Sequence, residues 1–406
     1  MTSEKSAIVV GGGIIGVTSA YTLARDGWRV TLIERNHAVG LGASFGNGRQ
    51  LSYSHTSALA SPTLLAHLPQ LVLGHDEALR VNFSFDAQLL GWTARFLANC
   101  TTRAHRRNTR AVSMLAVRSR EAMARLLAKH PLDFDRRRSG KMVLLHSGND
   151  LRAARQMQAI NAVSGIEQRL LEPEEAIREE PALAQCTDQL VGALYSPGDE
   201  TGNCQAFAAA LLRVLKEKFD VSFRHGEEVD GVTPSSSGAV VKLASGGEMS
   251  TDLVVIANGD RANDLAAPLG VRCPIQPMKG YSFIAPAGPE APRRSITDPT
   301  RRIVFTNLGD EMLVAGNAEL GPTDCAIEAG PLQSMIAAAR SALPMAADYA
   351  KVHSGWAGYR PLTPNSQPIT RMVKPGIAVN AGHGMLGWTL AMGSAERLAE
   401  IVRKAA

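Results

Sequence analysis

Three glycines near the amino end have the spacing of a phosphate-binding turn. Gly11, Gly13 and Gly16 form the pattern G-x-G-x-x-G directly after a short apolar run, residues 7–10. The first glycine permits a tight turn, the second lets the backbone approach a pyrophosphate, and the third allows close packing of helix on strand. The free amides at the start of a helix attract phosphate groups. The pattern therefore predicts a site for the diphosphate of a dinucleotide.

Glu34 adds a second element to this pattern. It ends the next β-rich run, residues 29–33, about twenty residues after the first glycine. A carboxylate at that place can accept hydrogen bonds from a ribose hydroxyl, and it disfavours a 2′-phosphate because two negative charges would repel. The alternative is a glycine-rich turn that holds no ligand. The glycine pattern alone does not distinguish FAD from NAD.

The elements that must position these residues are a strand, a helix and a second strand. Residues 14–26 have helical character and stop at Gly27, which gives a β-α-β unit within about thirty residues. Residues 87–130 and 149–163 are also predicted to be helical, and residues 134–146 are predicted to form a strand pair. Residues 275–285, 303–306 and 312–314 indicate an antiparallel sheet.

The order of these elements favours two interleaved domains. Strands at 253–257 and 376–380 could return to the amino-terminal β-α-β unit after a long insertion. The predicted class is α/β, with a Rossmann-like dinucleotide-binding domain interleaved with an α+β substrate domain that contains an antiparallel sheet. The dinucleotide-binding segments are predicted at 1–84, 201–272 and 351–406, and the substrate-domain segments at 85–200 and 273–350.

Six motifs in order along the chain carry a family resemblance. Besides the glycine turn they are SFGNGRQ (44–50), GDETGNCQ (198–205), KGYS (279–282), WAGYRPLTP (356–364) and GHGMLGWT (382–389). The chain resembles the bacterial FAD-dependent D-amino acid dehydrogenases, within the D-amino acid oxidase and glycine oxidase superfamily. It departs from them where they have Ala-Asn-Ala-Gly-Gln, since this chain has Gly46-Asn47-Gly48-Arg49-Gln50. It also has Asn365-Ser366 in place of Asp-Gly.

The resemblance and the glycine pattern together predict FAD as the cofactor. The resemblance also implies that the dinucleotide-binding domain is an FAD-binding domain of the glutathione-reductase type. Arg49 would place a charge close to the expected flavin edge. His383 lies between Gly382 and Gly384, and these glycines would let the backbone amides of the loop approach the flavin ring closely. The predicted FAD-binding residues are Gly11, Gly13, Ile14, Ile15, Gly16, Glu34, Arg35, Ser44, Asn47, Arg49, Gln50, Val229, Asn258, Gly259, Gly382, His383, Gly384, Met385, Leu386, Gly387, Trp388 and Thr389. No metal site is predicted.

Four side chains are candidates for contact with a substrate. The planar fork of Arg360 suits a carboxylate, and the resemblance implies that this arginine binds one. Tyr281 could bind the same carboxylate or could be a core tyrosine. Tyr53 and His55 lie in the charge-free segment 51–74, which is predicted to be either a lid or a buried connection. His55 could titrate near neutral pH and act on an amine, or it could be structural.

The resemblance implies oxidative deamination of a D-amino acid or a cyclic imino acid. Hydride would pass from the α-carbon to flavin N5, and the imino acid would hydrolyse to a 2-oxo acid and ammonia. Electrons would pass to a quinone or another acceptor, and an oxygen-dependent oxidase is the alternative. A nicotinamide dehydrogenase and a non-catalytic nucleotide-binding protein are two further hypotheses. The exact amine or amino acid and the oligomeric state stay open.

Composition limits the other classes of function. The chain has 406 residues, 45% of them hydrophobic, with a net charge of +5, which is too modest to indicate a nucleic-acid partner. The segment 101–130 is strongly basic, and it is either a solvated helical face or a patch for an anionic membrane. The five isolated cysteines suit a reducing compartment, and no signal peptide is recognised. A cytoplasmic protein, with peripheral membrane contact as an option, is expected.

Overall fold

The computed structural model describes residues 5–66, 79–81, 86–163, 165–321 and 324–405. The strands are β1 Ser6–Val10, β2 Arg29–Glu34, β3 Gln50–Leu51, β4 Leu79–Val81, β5 Lys141–Leu145, β6 Arg169–Leu171, β7 Gly192–Ser196, β8 Glu200–Thr201, β9 Ser222–His225, β10 Val229–Ser235, β11 Gly238–Leu243, β12 Glu248–Thr251, β13 Leu253–Ile256, β14 Gln276–Pro286, β15 Ser295–Asp298, β16 Ile303–Asn307, β17 Glu311–Leu320, β18 Ser354–Leu362, β19 Ile369–Lys374 and β20 Ile377–Ala381. The α-helices are α1 Ile14–Arg25, α2 Pro62–Ala66, α3 Ala87–Ala98, α4 Thr102–Lys129, α5 Gly148–Ala162, α6 Pro173–Glu179, α7 Cys204–Phe219, α8 Ala262–Ala266, α9 Ala329–Ala342 and α10 Gly387–Ala405. Short 3-10 segments lie at Pro181–Gln189, Gly259–Arg261, Ala267–Leu269, Tyr349–Lys351 and Gly384–Leu386.

A mainly parallel sheet is built from the amino-terminal β-α-β unit and from strands far along the chain. Its order is β19-β20-β13-β1-β2-β9, and only β19 runs antiparallel to its neighbour. The strands β13 and β20 are wholly buried, as expected for apolar runs that are covered on both faces. Helices α1, α4, α7 and α10 contribute to the core on one face, and the sheet β10-β11-β12 covers the other.

A second, larger sheet carries the predicted antiparallel strands. Its order is β18-β14-β17-β16-β15-β5-β7-β6, with β4 also paired to β17. Its pairs are antiparallel except for β15 with β5 and β17 with β4. Helix α9 packs against this sheet through Met335 and Ala339, which form part of a separate core. The fold class predicted from sequence is therefore confirmed.

The two sheets exchange segments at places that the predicted boundaries do not mark. Strand β18 belongs to the large sheet although it falls inside the predicted FAD-binding segment 351–406. Helix α4 falls inside the predicted substrate segment 85–200, but its buried face packs on α10 and contributes to the core that covers the first sheet. Residues 134–140 do not form the expected first strand of a pair, although Arg137 makes an isolated bridge to Thr201. The charge-free segment is described only up to residue 66.

Candidate active site

One continuous cavity of about 1030 Å³ runs from the glycine turn to Arg360. It lies between the carboxyl ends of the parallel strands and the large sheet, where ligands bind in open α/β folds. Twenty of the twenty-two predicted FAD-binding residues line it, with Gly16 and Arg49 as the exceptions. Arg360 and His55 line the same cavity, whereas Tyr53 and Tyr281 do not.

The glycine turn is shaped by close backbone contacts. A Cβ on Gly11 would lie 2.7 Å from the carbonyl oxygen of Ala257, and the φ of Gly11 is +106°, in the left-handed region. A Cβ on Gly16 would lie 1.7 Å from the carbonyl oxygen of Gly11. The turn therefore brings β1, α1 and β13 together, and only glycine fits at these two positions.

The groups at the start of helix α1 are polar, and none of those in its first turn is negatively charged. The helix has no acidic residue in its first turn, and the hydroxyl of Ser44 accepts a hydrogen bond from the Ile14 amide at 3.1 Å. Glu34 accepts from the Gly12 amide at 2.6 Å and from the backbone and side chain of Asn36. These three bonds leave part of the acceptor capacity of a carboxylate available to a ligand hydroxyl.

The loop from Gly46 to Gln50 follows the turn and packs against Trp356 on β18. A Cβ on Gly46 would lie 2.1 Å from the indole at Cδ2, and a Cβ on Gly358 would lie 2.2 Å from it at Cζ2. The indole therefore packs closely against two glycines at the cavity wall. This contact gives a physical reason for glycine at position 46, where the resembling sequences have alanine.

Arg360 lies partly buried at the far end of the cavity. Its two terminal nitrogens donate to the carbonyl oxygens of Asn317 at 2.9 Å and Gly316 at 3.0 Å. The guanidinium lies over Gly280, where a Cβ would be only 2.3 Å from it. Within the described part of the chain no carboxylate lies within ion-pair distance of Arg360, and burial lowers its pKa to about 10. The site therefore holds a fixed cation that lacks a counter-charge.

Apolar side chains surround Arg360. Met278 pairs with it across β14 and β18, and Leu362 is two residues further on the same face of the strand. Ala318 follows Asn317, whose carbonyl oxygen accepts a hydrogen bond from Arg360. The apolar residues that line this end are Leu59, Leu64, Leu89, Trp92, Phe96, Met278, Ala318, Leu320 and Leu362. The Trp92 indole N–H is satisfied by the Leu362 carbonyl at 3.0 Å, so this wall is fixed and non-polar.

The loop before the closing helix forms the wall between these two ends. Gly382 and Gly384 adopt positive φ values of 79° and 57°, which the chain needs to turn from β20 into α10. The His383 ring turns into the protein and pairs through Nε2 with the Ser394 hydroxyl at 2.7 Å. Burial lowers the pKa of His383 to about 3, so the ring is neutral. The first residues of α10, including Thr389, line the cavity.

The chain that carries this dinucleotide turn and this arginine on a second sheet matches a known protein family. Residues 6–401 match the profile of the family described as DAO, FAD dependent oxidoreductase. The chain belongs to that family. It is 35% identical over 399 residues to a D-amino acid dehydrogenase of Xanthobacter autotrophicus, covering 97% of this chain and 94% of the relative. It is 36% identical over 412 residues to D-amino acid dehydrogenase 2 of Ralstonia nicotianae, covering 98% and 96%.

Solved structures share the fold of this oxidoreductase. Glycine oxidase from Geobacillus kaustophilus has a TM-score of 0.75 at 22% identity, and the match covers 98% of this chain and 94% of that one. L-proline dehydrogenase from P. horikoshii has a TM-score of 0.76 at 21% identity, with coverage of 100% and 94%. At these identities the likeness supports the architecture.

The cavity of the oxidoreductase fits FAD. Gly13 lines the cavity at the start of α1, where a Cβ would meet only Ser44 Oγ at 3.8 Å, so glycine there leaves open space for a diphosphate. Glu34 has acceptor capacity for a ribose. Val229, Asn258 and Gly259 line the same end as Glu34, so they would hold the adenosine part. The loop 46–50 and residues 382–389 would hold the ring, because they line the stretch between the turn and Arg360.

Two predicted substrate contacts are corrected by the structure. Tyr281 is fully buried in the core of the large sheet, and its hydroxyl donates to Glu319 at 3.1 Å. Tyr53 is also buried away from the cavity, and its hydroxyl has no hydrogen-bond partner in the described part of the structure. Burial raises the pKa of both phenols. Neither side chain is positioned to reach a substrate.

Arg49 is the third correction. Its backbone has a φ of +54°, a conformation that suits the glycine found there in the resembling sequences. Its side chain points into a separate pocket of about 280 Å³ and lies 3.8 Å from Asp135. Burial lowers the pKa of Arg49, and the charge of Asp135 opposes that shift. The expected charge at the flavin edge is therefore directed elsewhere.

His55 lines the cavity, but its expected titration near neutral pH is corrected. Its Nδ1 is buried without a hydrogen-bond partner among the described residues. Burial, with a smaller contribution from the charge of Lys141, lowers the pKa of His55 to about 3. The ring is neutral at physiological pH and is a weak base.

Lys141 is a cavity residue that the sequence interpretation missed. It is the first residue of β5, is 4% exposed, and lines the cavity. Its ammonium donates to Gln50 Oε1 at 3.0 Å and to Ser52 Oγ at 2.8 Å. The available signal was a charged residue at the start of an otherwise apolar run, which alone does not show the direction of the side chain.

Proposed function

We propose that the protein oxidises a D-amino acid, or a cyclic imino acid, at its α-carbon. The observation that carries this proposal is the partly buried Arg360, which has no acidic partner in the described structure and faces the cavity that fits FAD. A carboxylate is the ligand that matches its planar fork. The relatives named D-amino acid dehydrogenases, at 35% and 36% identity, support the same substrate class.

The residues of the chain bind and orient the substrate. Arg360 holds the carboxylate, and its bonds to Gly316 and Asn317 fix the direction of the guanidinium. Bound FAD supplies the chemistry by accepting the α-hydrogen with two electrons as a hydride at N5. The apolar wall of Trp92, Phe96 and neighbouring leucines excludes water from the reacting carbon. Water then hydrolyses the imino acid product to a 2-oxo acid and ammonia.

The amine must be neutral when the hydride leaves. His55 is too weak a base to take its proton near neutral pH, because burial holds its pKa at about 3. No other histidine except His383 lines the cavity in the described structure, and its ring is turned into the protein. The amine proton therefore passes to solvent, and His55 at most accepts a hydrogen bond through Nδ1.

The apolar surroundings of Arg360 favour a substrate with a large non-polar side chain. Met278, Leu362 and Ala318 lie next to the arginine, and the aromatic rings of Trp92 and Phe96 stack at 5.0 Å behind them. Burying an apolar side chain there contributes roughly 1.5–3 kcal/mol relative to leaving it exposed. We expect D-phenylalanine, D-leucine and D-methionine to react with higher kcat/KM than D-alanine or D-aspartate.

A substrate panel tests the proposed function. The purified FAD-loaded protein is incubated with D-amino acids, their L-enantiomers, cyclic imino acids and the matching amines without a carboxylate. Reduction of an artificial dye is measured beside oxygen consumption. We expect dye reduction with D-amino acids and little with the amines. Absence of turnover with every amino acid, in protein that contains stoichiometric FAD, would overturn the proposal.

We propose a quinone or another non-oxygen compound as the electron acceptor. Fast oxygen consumption without dye would support the oxidase alternative instead.

The described residues include no helix long and apolar enough to cross a membrane. A peripheral contact is supported by the exposed Arg103, Arg106, Arg107 and Arg110 on α4 and by Leu90, which is 54% exposed at the cavity. Co-sedimentation with anionic but not neutral vesicles tests this contact.

A further inference from the structure

Lys141 is a buried cation whose donors are not all used by the protein. An ammonium carries three N–H groups, and two of them donate to Gln50 and Ser52. Within the described structure no further acceptor and no carboxylate within 4.0 Å is found for it. Since a buried ammonium without a counter-charge is unfavourable, it would stabilise any group in the cavity that gains negative charge during reaction.

The titratable groups around Lys141 do not supply that charge at short range. His55 is neutral, and its low pKa reflects in part the charge of Lys141. Asp199 is buried and accepts from the backbone and hydroxyl of Ser54, so it interacts with Lys141 only at longer range. Burial lowers the pKa of Lys141 to about 8, and Asp199 opposes that shift. The Lys141 side chain is therefore mostly protonated and positively charged at pH 7.

Hydrogen bonds connect Lys141 to the part of the cavity that would hold the FAD ring. Its partner Ser52 donates through its backbone amide to the Thr389 hydroxyl at 3.0 Å, in the first turn of α10. Its other partner, Gln50, ends the loop that packs on Trp356, and the Gln50 amide also binds Ser295. A cofactor held by its diphosphate at the glycine turn must extend past these residues to bring its ring to a substrate on Arg360.

We propose that Lys141 is a catalytic residue that contacts the FAD ring and stabilises the negative charge added by hydride transfer. In that step the substrate C–H bond breaks and an N5–H bond forms, so the ring gains one proton and two electrons. The net change on the ring is one negative charge, while the substrate becomes an iminium ion. A preorganised ammonium at the ring stabilises this product state without any rearrangement of the protein.

Sulfite binding and the reduction potential test the proposal on FAD-loaded protein. Sulfite adds to N5 and leaves the same negative charge on the ring, so it reports the local charge without turnover. In Lys141→Met we expect the sulfite dissociation constant to rise at least tenfold. We expect the two-electron potential to fall by about 30 mV, the shift that corresponds to a tenfold change for such a couple. Lys141→Gln should give the same two shifts, and Lys141→Arg should keep both near wild type.

The matched control is Lys129→Met, which removes an exposed charge at the end of α4. It should leave both readouts unchanged. Unchanged sulfite affinity and potential in FAD-loaded Lys141→Met would overturn the proposal. Loss of FAD from both the Met and Gln variants would also overturn it, because Lys141 would then serve assembly of the site. The inference rests on FAD binding and not on the substrate. If no amino acid in the panel reacts but Lys141→Met still shifts the reduction potential, the proposed function is refuted and the proposal for Lys141 is not.

Discussion

Replacement of Arg360 by methionine separates binding of a carboxylate from stability of the fold. Methionine has a similar length and suits the apolar wall formed by Met278 and Leu362. The variant removes a partly buried cation that has no acidic partner in the described structure, which favours the fold. It also removes the guanidinium that donates to the carbonyls of Gly316 and Asn317, which opposes that gain. We therefore expect the Tm to stay within about 2 °C of wild type, because roughly 1 kcal/mol shifts the Tm of a chain of 406 residues by only about 1 °C.

The expected loss of activity is much larger. Two N–H groups of Arg360 bond to the protein, which leaves three of its five donors for a substrate. Two charge-assisted hydrogen bonds to a carboxylate contribute about 1.5–3 kcal/mol each, or roughly 3–6 kcal/mol together. Since each 1.36 kcal/mol is tenfold, kcat/KM should fall by about 10²–10⁴. Arg360→Lys keeps the charge but not the planar fork, so its loss of kcat/KM should be smaller than that of Arg360→Met.

The assay compares a D-amino acid with the amine that lacks its carboxylate. Steady-state dye reduction gives kcat/KM for both compounds on wild type and Arg360→Met, with FAD content and Tm measured on the same samples. The carboxylate contribution should disappear in the variant, while the low activity on the amine should change little. A D-amino acid kcat/KM within threefold of wild type would refute the assignment of Arg360. An equal loss for both compounds would instead show a general defect of the site.

Three further outcomes follow from the structure. Gly46→Ala should displace the Trp356 indole, since its Cβ would lie 2.1 Å from that ring, and should lower both FAD content and Tm; a fully loaded variant with unchanged Tm contradicts this. Ala318→Leu should narrow the apolar pocket and reduce kcat/KM for D-phenylalanine at least tenfold more than for D-alanine, whereas equal losses contradict the position of the pocket. The pKa values of His55 and His383 are about 3 in the folded chain and 6.5 in the unfolded chain. Between pH 6.5 and pH 3 only the unfolded chain binds a proton at these histidines. The free energy of unfolding therefore falls as the pH falls through this range. Each histidine should reduce the free energy of unfolding by about 2 kcal/mol between pH 7.5 and pH 5, and urea unfolding of His55→Asn should show a smaller pH dependence than wild type.

The sequence could predict those parts of the fold that depend on local pattern. The β-α-β unit was readable because its apolar runs, glycines and terminal acid lie within about thirty residues. Strands β13 and β20 were also readable as buried apolar runs that could return to the first sheet. The predicted boundaries were less informative because packing decides them. Helix α4 has the same amphipathic pattern whichever sheet it covers, and its partner helix α10 lies far away in sequence.

The site could be predicted where backbone shape sets the function, and less well where side-chain direction does. Glycine positions such as Gly11 and Gly382 carry their conformation in their residue type. Tyr281 sits in a motif that resembles the family, yet the direction of its side chain on β14 puts the phenol into the core. Arg49 follows the same rule, because its left-handed backbone turns the side chain into the second pocket. Neither direction can be derived from spacing along one chain.

Arg360 and Lys141 are cations that line the cavity and differ in the kind of negative charge that each could bind. Arg360 stands on β18 and Lys141 on β5, with four strands of the large sheet between them. The arginine has its fork fixed by two carbonyls, which suits a planar carboxylate that must be oriented before reaction. The lysine is a compact charge held by an amide and a hydroxyl, which suits charge that spreads over a ring during reaction. Binding of a carboxylate would satisfy the first cation before hydride transfer, while the second would be satisfied only as the transfer proceeds. An interaction that strengthens along the reaction lowers the barrier, whereas one already made in the bound state mainly improves binding. On this argument Arg360 contributes chiefly to recognition and Lys141 to the rate of the chemical step.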